Sequence, residues 1–287
     1  MNWFILAVLA AFFSAVKDAI SKQSLKNVDE YVVTWASRFF ALPVLLPFVF
    51  IDDIPTLGRE FYINLFFILG IQIVANILYF RAIKLSDLSL TIPLLAFTPL
   101  FLLITSPLIV GEYPRWIDVA GIILIVGGSY LLNIKNKKQG YLAPFQALFY
   151  NPGAKLMLLV AFCWSLLSNF NKVGVQTSSP TFWPAFNSSI LAIAFFGIAL
   201  SKSSKPWQQV KQNYQSLIPM GICQGLLLLS FMKALDLALV AQVISIKRLS
   251  ILFAVIFGYF CFGEAGIKER LLGAGIMLIG VTLITLF

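Results

Sequence analysis

Long apolar stretches run the length of this chain, separated by short polar punctuation and without the two-residue alternation that marks a membrane strand. Ten stretches reach the roughly 17–25 residues that a helix needs to cross about 30 Å of hydrocarbon. They fall near 3–21, 31–50, 61–82, 87–110, 115–133, 155–174, 181–200, 214–234, 238–262 and 269–287. Backbone in a bilayer must satisfy its own hydrogen bonds, so the expected fold class is all-α integral membrane, with ten transmembrane helices. Most connections are short, as at Asp52–Asp53–Ile54–Pro55 and Gly111–Glu112–Tyr113–Pro114. The stretch 135–154 is long enough for structure of its own, and its aromatic segment Tyr141–Tyr150 suggests a short interfacial helix.

The chain repeats itself. Shifted by 152 residues, Arg81–Ala82–Ile83 falls on Lys233–Ala234–Leu235, Gly111–Glu112 on Gly263–Glu264, Gly121 on Gly273 and Gly128 on Gly280. At an offset of 150, Ala11–Phe12 falls on Ala161–Phe162 and Lys22 on Lys172. The expected units are therefore 1–134, a linker 135–154, and 155–287. Five spans per unit is an odd number, so the second copy enters the membrane upside down. Inverted repeats of this kind build secondary transporters whose site lies between the repeats near the midplane.

Composition agrees and removes other classes. Only 11% of the residues are charged and 60% are hydrophobic, whereas soluble domains carry roughly 25% charged residues. There is no histidine, hence neither the commonest metal ligand nor the usual proton shuttle. Cys163, Cys223 and Cys261 stand singly in apolar runs, without metal or redox spacing. No nucleophile–base pair or metal cluster points to an enzyme, and neither cofactor nor metal is expected. The net charge of +9 resides in loops without alternating aromatics, which argues against nucleic acid. Met1–Asn2–Trp3 supplies no positive leader, so no cleavable signal is expected.

Charges inside the spans are the costly exceptions. Lys247 and Arg248 sit mid-span in the ninth stretch, where each costs about 2.5–3.5 kcal/mol on insertion scales. Their repeat mates are Leu95 and Ala96, so the fold does not demand the charges. A lysine point charge beside an arginine fork suits a phosphate or carboxylate. The bland reading is an ion pair with a neighbouring acid, for which Asp18 is the in-span candidate. Asp18 could instead pair with Lys22 one turn on, or carry a coupling proton. Arg38 either snorkels or faces a cavity. Softer substrate-binding candidates are Gln72 and Asn76, Asn169, Asn187, Gln224, Gln242, Ser245 and Trp183, with Asn171 and Trp164 beside them. Each polar one also reads as a helix–helix hydrogen bond. Pro93 and Pro99 in the fourth stretch have no counterparts in the ninth and should bend it.

Two five-helix units, each closing its fourth helix with Gly-Glu and following with a glycine-punctuated fifth, resemble the drug/metabolite transporter superfamily and its EamA family. The resemblance covers the whole chain. It implies a ten-helix alternating-access carrier in the plasma (inner) membrane, with helices one to four and six to nine around a central cavity and five and ten beside it. Such carriers take substrates from amino acids to sugar phosphates and cations. Lys247–Arg248 is also similar to the ninth-helix Lys-Arg pair that holds phosphate in triose-phosphate translocators. The expected activity is transport of a small organic metabolite, favoured anionic or zwitterionic. The alternatives are a proton-coupled exporter of cationic or lipophilic compounds and a non-transporting scaffold or receptor. The expected partners are the substrate and the lipid bilayer, with a homodimer left open. Glu112 and Glu264, being duplicated, read as fold residues.

Orientation is contested. Seventeen basic residues remain once Lys17, Arg38, Lys247 and Arg248 are set aside, and thirteen of them follow odd-numbered spans. The positive-inside rule then places both termini outside the cytoplasm. The family resemblance implies the reverse.

Overall fold

The computed structural model describes residues 2–51, 55–85, 92–133, 150–262 and 267–286. The expected interfacial helix and the Gly263–Glu264 copy of the Gly-Glu pair lie outside the described residues. The helices, in chain order, are α1 (Asn2–Ser24), α2 (Glu30–Phe39), α3 (Leu42–Ile51), α4 (Arg59–Leu85), a 3-10 helix (Ile92–Phe97), α5 (Thr98–Ile109), α6 (Trp116–Asn133), α7 (Pro152–Gln176), α8 (Phe182–Lys202), α9 (Pro206–Leu237), α10 (Val240–Lys247), α11 (Ser250–Phe262) and α12 (Ile267–Leu286). They group into ten spans, because α2 with α3, the 3-10 helix with α5, and α10 with α11 each make one. Among the described residues, five segments are individually long and apolar enough to cross a membrane: Asn2–Ser21, Glu30–Phe50, Pro152–Gln176, Phe182–Lys202 and Pro206–Leu237. Shorter apolar helices occupy Leu94–Ile109, Trp116–Leu131 and Leu272–Leu286.

Three spans are broken where the pattern of apolar residues reads as continuous. Pro43 explains the first break: it cannot donate to the carbonyl of Phe39 and its ring crowds that carbonyl, so α2 stops and α3 restarts at Leu42. Pro99 explains the second, at the junction of the 3-10 helix and α5, and there it leaves the Leu95 carbonyl without its helical donor. The third break, between Lys247 and Ser250, has no proline. Its backbone tightens instead, with Arg248 and Leu249 donating to the carbonyls three residues back at 3.0 and 2.9 Å. The second and third breaks are repeat mates, since α5 and α11 begin at Thr98 and Ser250, 152 residues apart. The eighth span starts earlier than its apolar run, at Pro206, with a non-helical Asn213 inside it.

Packing follows the repeat. α1 lies against α9 and α4 against α7, which are mate pairings of spans one with eight and three with six. α2 meets α8, the second span against the seventh. α6 pairs with α12, the fifth span against the tenth, to the side. In that pair a Cβ on Gly128 would lie 2.5 Å from the Gly273 carbonyl, and one on Gly280 2.6 Å from the Gly121 carbonyl. The glycines that the repeat aligns thus touch across a two-fold, letting the two backbones meet. Both chain ends share one face of the bundle, here the terminal face. The opposite face, which carries most basic loop residues, is the basic face.

Candidate functional site

A cavity of about 670 Å³, within the usual range for small-molecule sites, lies between the repeats. Its lining comes largely as repeat mates: Ser14 with Trp164, Lys17 with Leu167, Asp18 with Ser168, Tyr79 with Phe231, Leu95 with Lys247, Ala96 with Arg248, and Thr98 with Ser250. A cavity lined in this way straddles the pseudo-two-fold axis. Its walls nevertheless differ in chemistry, because every charge in those pairs comes from one member only. On the basic-face side Asp18 is exposed and Tyr79 half-buried, whereas their mates Ser168 and Phe231 on the terminal side are buried. The cavity is thus the more accessible from the basic face.

Four cations and one carboxylate line it: Lys17, Arg38, Lys247, Arg248 and Asp18. Asp18 pairs with its neighbour Lys17 at 2.8 Å; the side chain of Lys22, the other expected partner, lies outside what is described. Among the described residues no carboxylate comes within ion-pair distance of Arg38, Lys247 or Arg248. Lys247 sits with its Nζ 4.3 Å from the centre of the Phe231 ring, a cation–π contact. Arg248 donates from Nη2 to the Leu95 carbonyl at 2.9 Å, and its buried Nε has no hydrogen-bond partner among the described residues. The same carbonyl accepts the Thr98 hydroxyl at 2.9 Å. This acceptor is the one that Pro99 removes from the helical ladder. A proline in the fourth span therefore orients an arginine in the ninth. Arg38 occupies the last turn of α2, just before the Pro43 break. Tyr79 and Trp164 stack at 5.8 Å with planes 29° apart, supplying a flat aromatic wall.

Asn171 also lines the cavity, whereas most of the other sequence candidates lie outside it, several with their polar atoms engaged in helix packing. Gln242 donates to buried Asp118 of α6 at 2.9 Å, and Asp118 also takes the Arg115 guanidinium at 3.2 Å. Asn169 accepts from Ser106 at 2.8 Å and donates to Thr105 at 2.9 Å, binding the sixth span to the fourth. Ser245 returns its hydroxyl to the Ala241 carbonyl at 2.7 Å. Trp183 is fully buried, its indole N–H on the Asn171 side-chain oxygen at 2.9 Å. Asn187 and Gln224 are buried off the cavity, Gln72 is not in its lining, and the side chain of Asn76 lies outside the described residues. Ser14, Tyr79, Ser168 and Phe231 were not singled out from the sequence, although the repeat offsets of Asp18 and Trp164 lead to two of them.

Glu112 has a fold role. Gly111 ends α5 in the left-handed conformation, at φ +74°, which only glycine adopts without strain. The next residue, Glu112, accepts the Val240 N–H at 2.7 Å and pairs with Lys172 at 3.2 Å. α10 has no side-chain cap from its own N-cap residue, so a first-repeat carboxylate serves instead. Lys172 also donates to the carbonyls of Leu235 and Ala238, the latter at 3.0 Å, at the carboxyl end of α9.

Comparison with known proteins agrees with this architecture. A solved structure of 14% identity superposes with a TM-score of 0.79 over 99% of this chain and 96% of its own, and shows the fold. Two curated proteins named S-adenosylmethionine uptake transporter, from Rickettsia conorii and Rickettsia felis, are 26% and 25% identical over the whole of this chain and 92% of theirs. The model of the EamA-like transporter family matches residues 1–134 and 151–286. The chain therefore belongs to the EamA-like transporter family and is a multi-pass membrane transporter, not an enzyme.

Proposed function

We propose that this transporter moves a small zwitterionic or anionic metabolite by alternating access through the central cavity. One observation carries the reading: Arg38, Lys247 and Arg248 face the cavity without an ion-paired carboxylate among the described residues. Unpaired charges at this depth are expensive, and an acidic solute group offsets that cost. In this reading Lys247 gives the acid a point charge, Arg248 a fork held by Leu95, and Arg38 a third cation from the opposite repeat. Tyr79 and Trp164 offer a stacking surface for a planar ring. S-adenosylmethionine combines a carboxylate, an ammonium, a sulfonium and a planar base, and two relatives are named for its uptake. It is the first solute to test.

The test is a thermal-shift screen of the purified protein against S-adenosylmethionine, amino acids, sugar phosphates and simple amines, followed by uptake into proteoliposomes. A ligand that binds only the folded state raises apparent stability. Solutes with an acid group should stabilise the parent and not the Lys247→Ala variant. Stabilisation by amines alone defeats the proposal. So does uptake that survives Lys247→Ala but is lost in Asp18→Asn, which is the pattern of a proton-coupled cation exporter.

A further inference from the structure

We infer that α10 is a coupling rod, latched at its amino end by carboxylates of the first repeat and carrying the solute-binding cations at its carboxyl end. The helix has two turns, Val240–Lys247, about 12 Å long at 1.5 Å per residue. Glu112 holds the Val240 N–H at 2.7 Å and Asp118 holds Gln242 at 2.9 Å. Both acids belong to the first repeat and both contacts lie at the terminal face. Lys172 pairs with Glu112 at 3.2 Å and grips the end of α9, so the fourth, sixth, eighth and ninth spans meet at one point. Lys247 and Arg248 stand at the opposite end of the rod, beside the break.

These contacts join the two repeats on the face away from the more accessible side of the cavity. Opening the terminal face separates the first repeat from α10, and that motion must break the Glu112 and Asp118 contacts. An eight-residue helix moves as a unit, so displacement of its carboxyl end by a solute acid is transmitted to the latch. In the conformation described here the latch is closed and the cavity is accessible from the basic face.

This inference rests on the alternating-access reading, and the experiment separates the two. A reporter cysteine replaces Ser14 of the cavity in a protein whose three native cysteines are alanine. The protein is placed in oriented vesicles and labelled with a membrane-impermeant maleimide from each face. The parent should label chiefly from the basic face. Glu112→Ala should raise terminal-face labelling several-fold and lower basic-face labelling to match. Lys172→Met, which leaves Glu112 on Val240, should shift both in the same direction by less. Folding is checked by size-exclusion chromatography, and the second variant reports if the first does not fold. Labelling unchanged in a folded variant overturns the latch, as does a variant that only melts lower without a change of face. Failure of the parent to accumulate S-adenosylmethionine or any acid-bearing solute, with labelling still shifted by Glu112→Ala, overturns the transport reading and leaves the latch standing.

Discussion

The breaks in the fourth and ninth spans occupy the same place in two copies of one unit, yet they differ in cause and chemistry. The fourth is broken by Pro99 and presents Leu95 and Ala96 to the cavity. The ninth is broken without proline and presents Lys247 and Arg248. Each copy keeps an interrupted helix at the cavity, so the interruption belongs to the architecture. Only one copy carries charge there, so the architecture does not demand the charge. The two breaks are also coupled, because the carbonyl that Pro99 frees in one orients the arginine of the other.

The largest expected effect comes from erasing that difference. Lys247→Leu with Arg248→Ala copies the first repeat into the second and removes two mid-membrane charges, each costing about 2.5–3.5 kcal/mol. The double variant should melt no lower than the parent in a detergent thermal scan. Its uptake should fall by about a hundredfold or more, since each charge-assisted hydrogen bond to the solute is worth about 1.5–3 kcal/mol. Retained uptake makes the asymmetry incidental.

Next in size is a control in which the repeats are equivalent. Gly128→Ala and Gly280→Ala place a methyl against the backbone of the facing helix from opposite sides of the two-fold. Each should cost about 1–3 kcal/mol, by similar amounts, with little change in solute preference among the molecules that remain folded. Unfolding curves of the two variants side by side check this.

Pro99→Ile, the residue of its mate Ile251, restores an N–H that competes for the Leu95 carbonyl. Arg248 loses its anchor, and solute affinity should weaken by roughly three- to tenfold, the worth of one modest hydrogen bond. A titration by thermal shift is sufficient to measure it. The smallest effect is expected from Asp18→Asn. It removes a pair with Lys17 worth about 0.2–1 kcal/mol and should change uptake by less than about threefold. A complete loss instead marks Asp18 as the coupling acid.

Much of this was legible in the residues. Apolar runs of membrane-crossing length, the two offsets and the duplicated Gly-Glu lead to ten spans in two inverted units, because hydropathy and span parity are properties of sequence. The comparison of mates likewise isolates Lys247 and Arg248 before any coordinates. The breaks are less legible. Apolar sequence continues through all three, and proline marks only those at Pro43 and Pro99. The neutral polar candidates could not be sorted at all. Whether Gln242 or Asn169 turns to a cavity or to a neighbouring helix depends on which helices meet. In the fold they face Asp118 and the Ser106–Thr105 pair.

By itself, then, the sequence determined class, span number, repeat and the one costly pair of charges, since each follows from local composition or from arithmetic along the chain. Tertiary structure alone decided that Arg38 joins that pair, that Tyr79 stacks on Trp164, and that Glu112 caps a helix 128 residues later in the chain. Those partners are distant in sequence and become neighbours only when two inverted copies close around a shared axis.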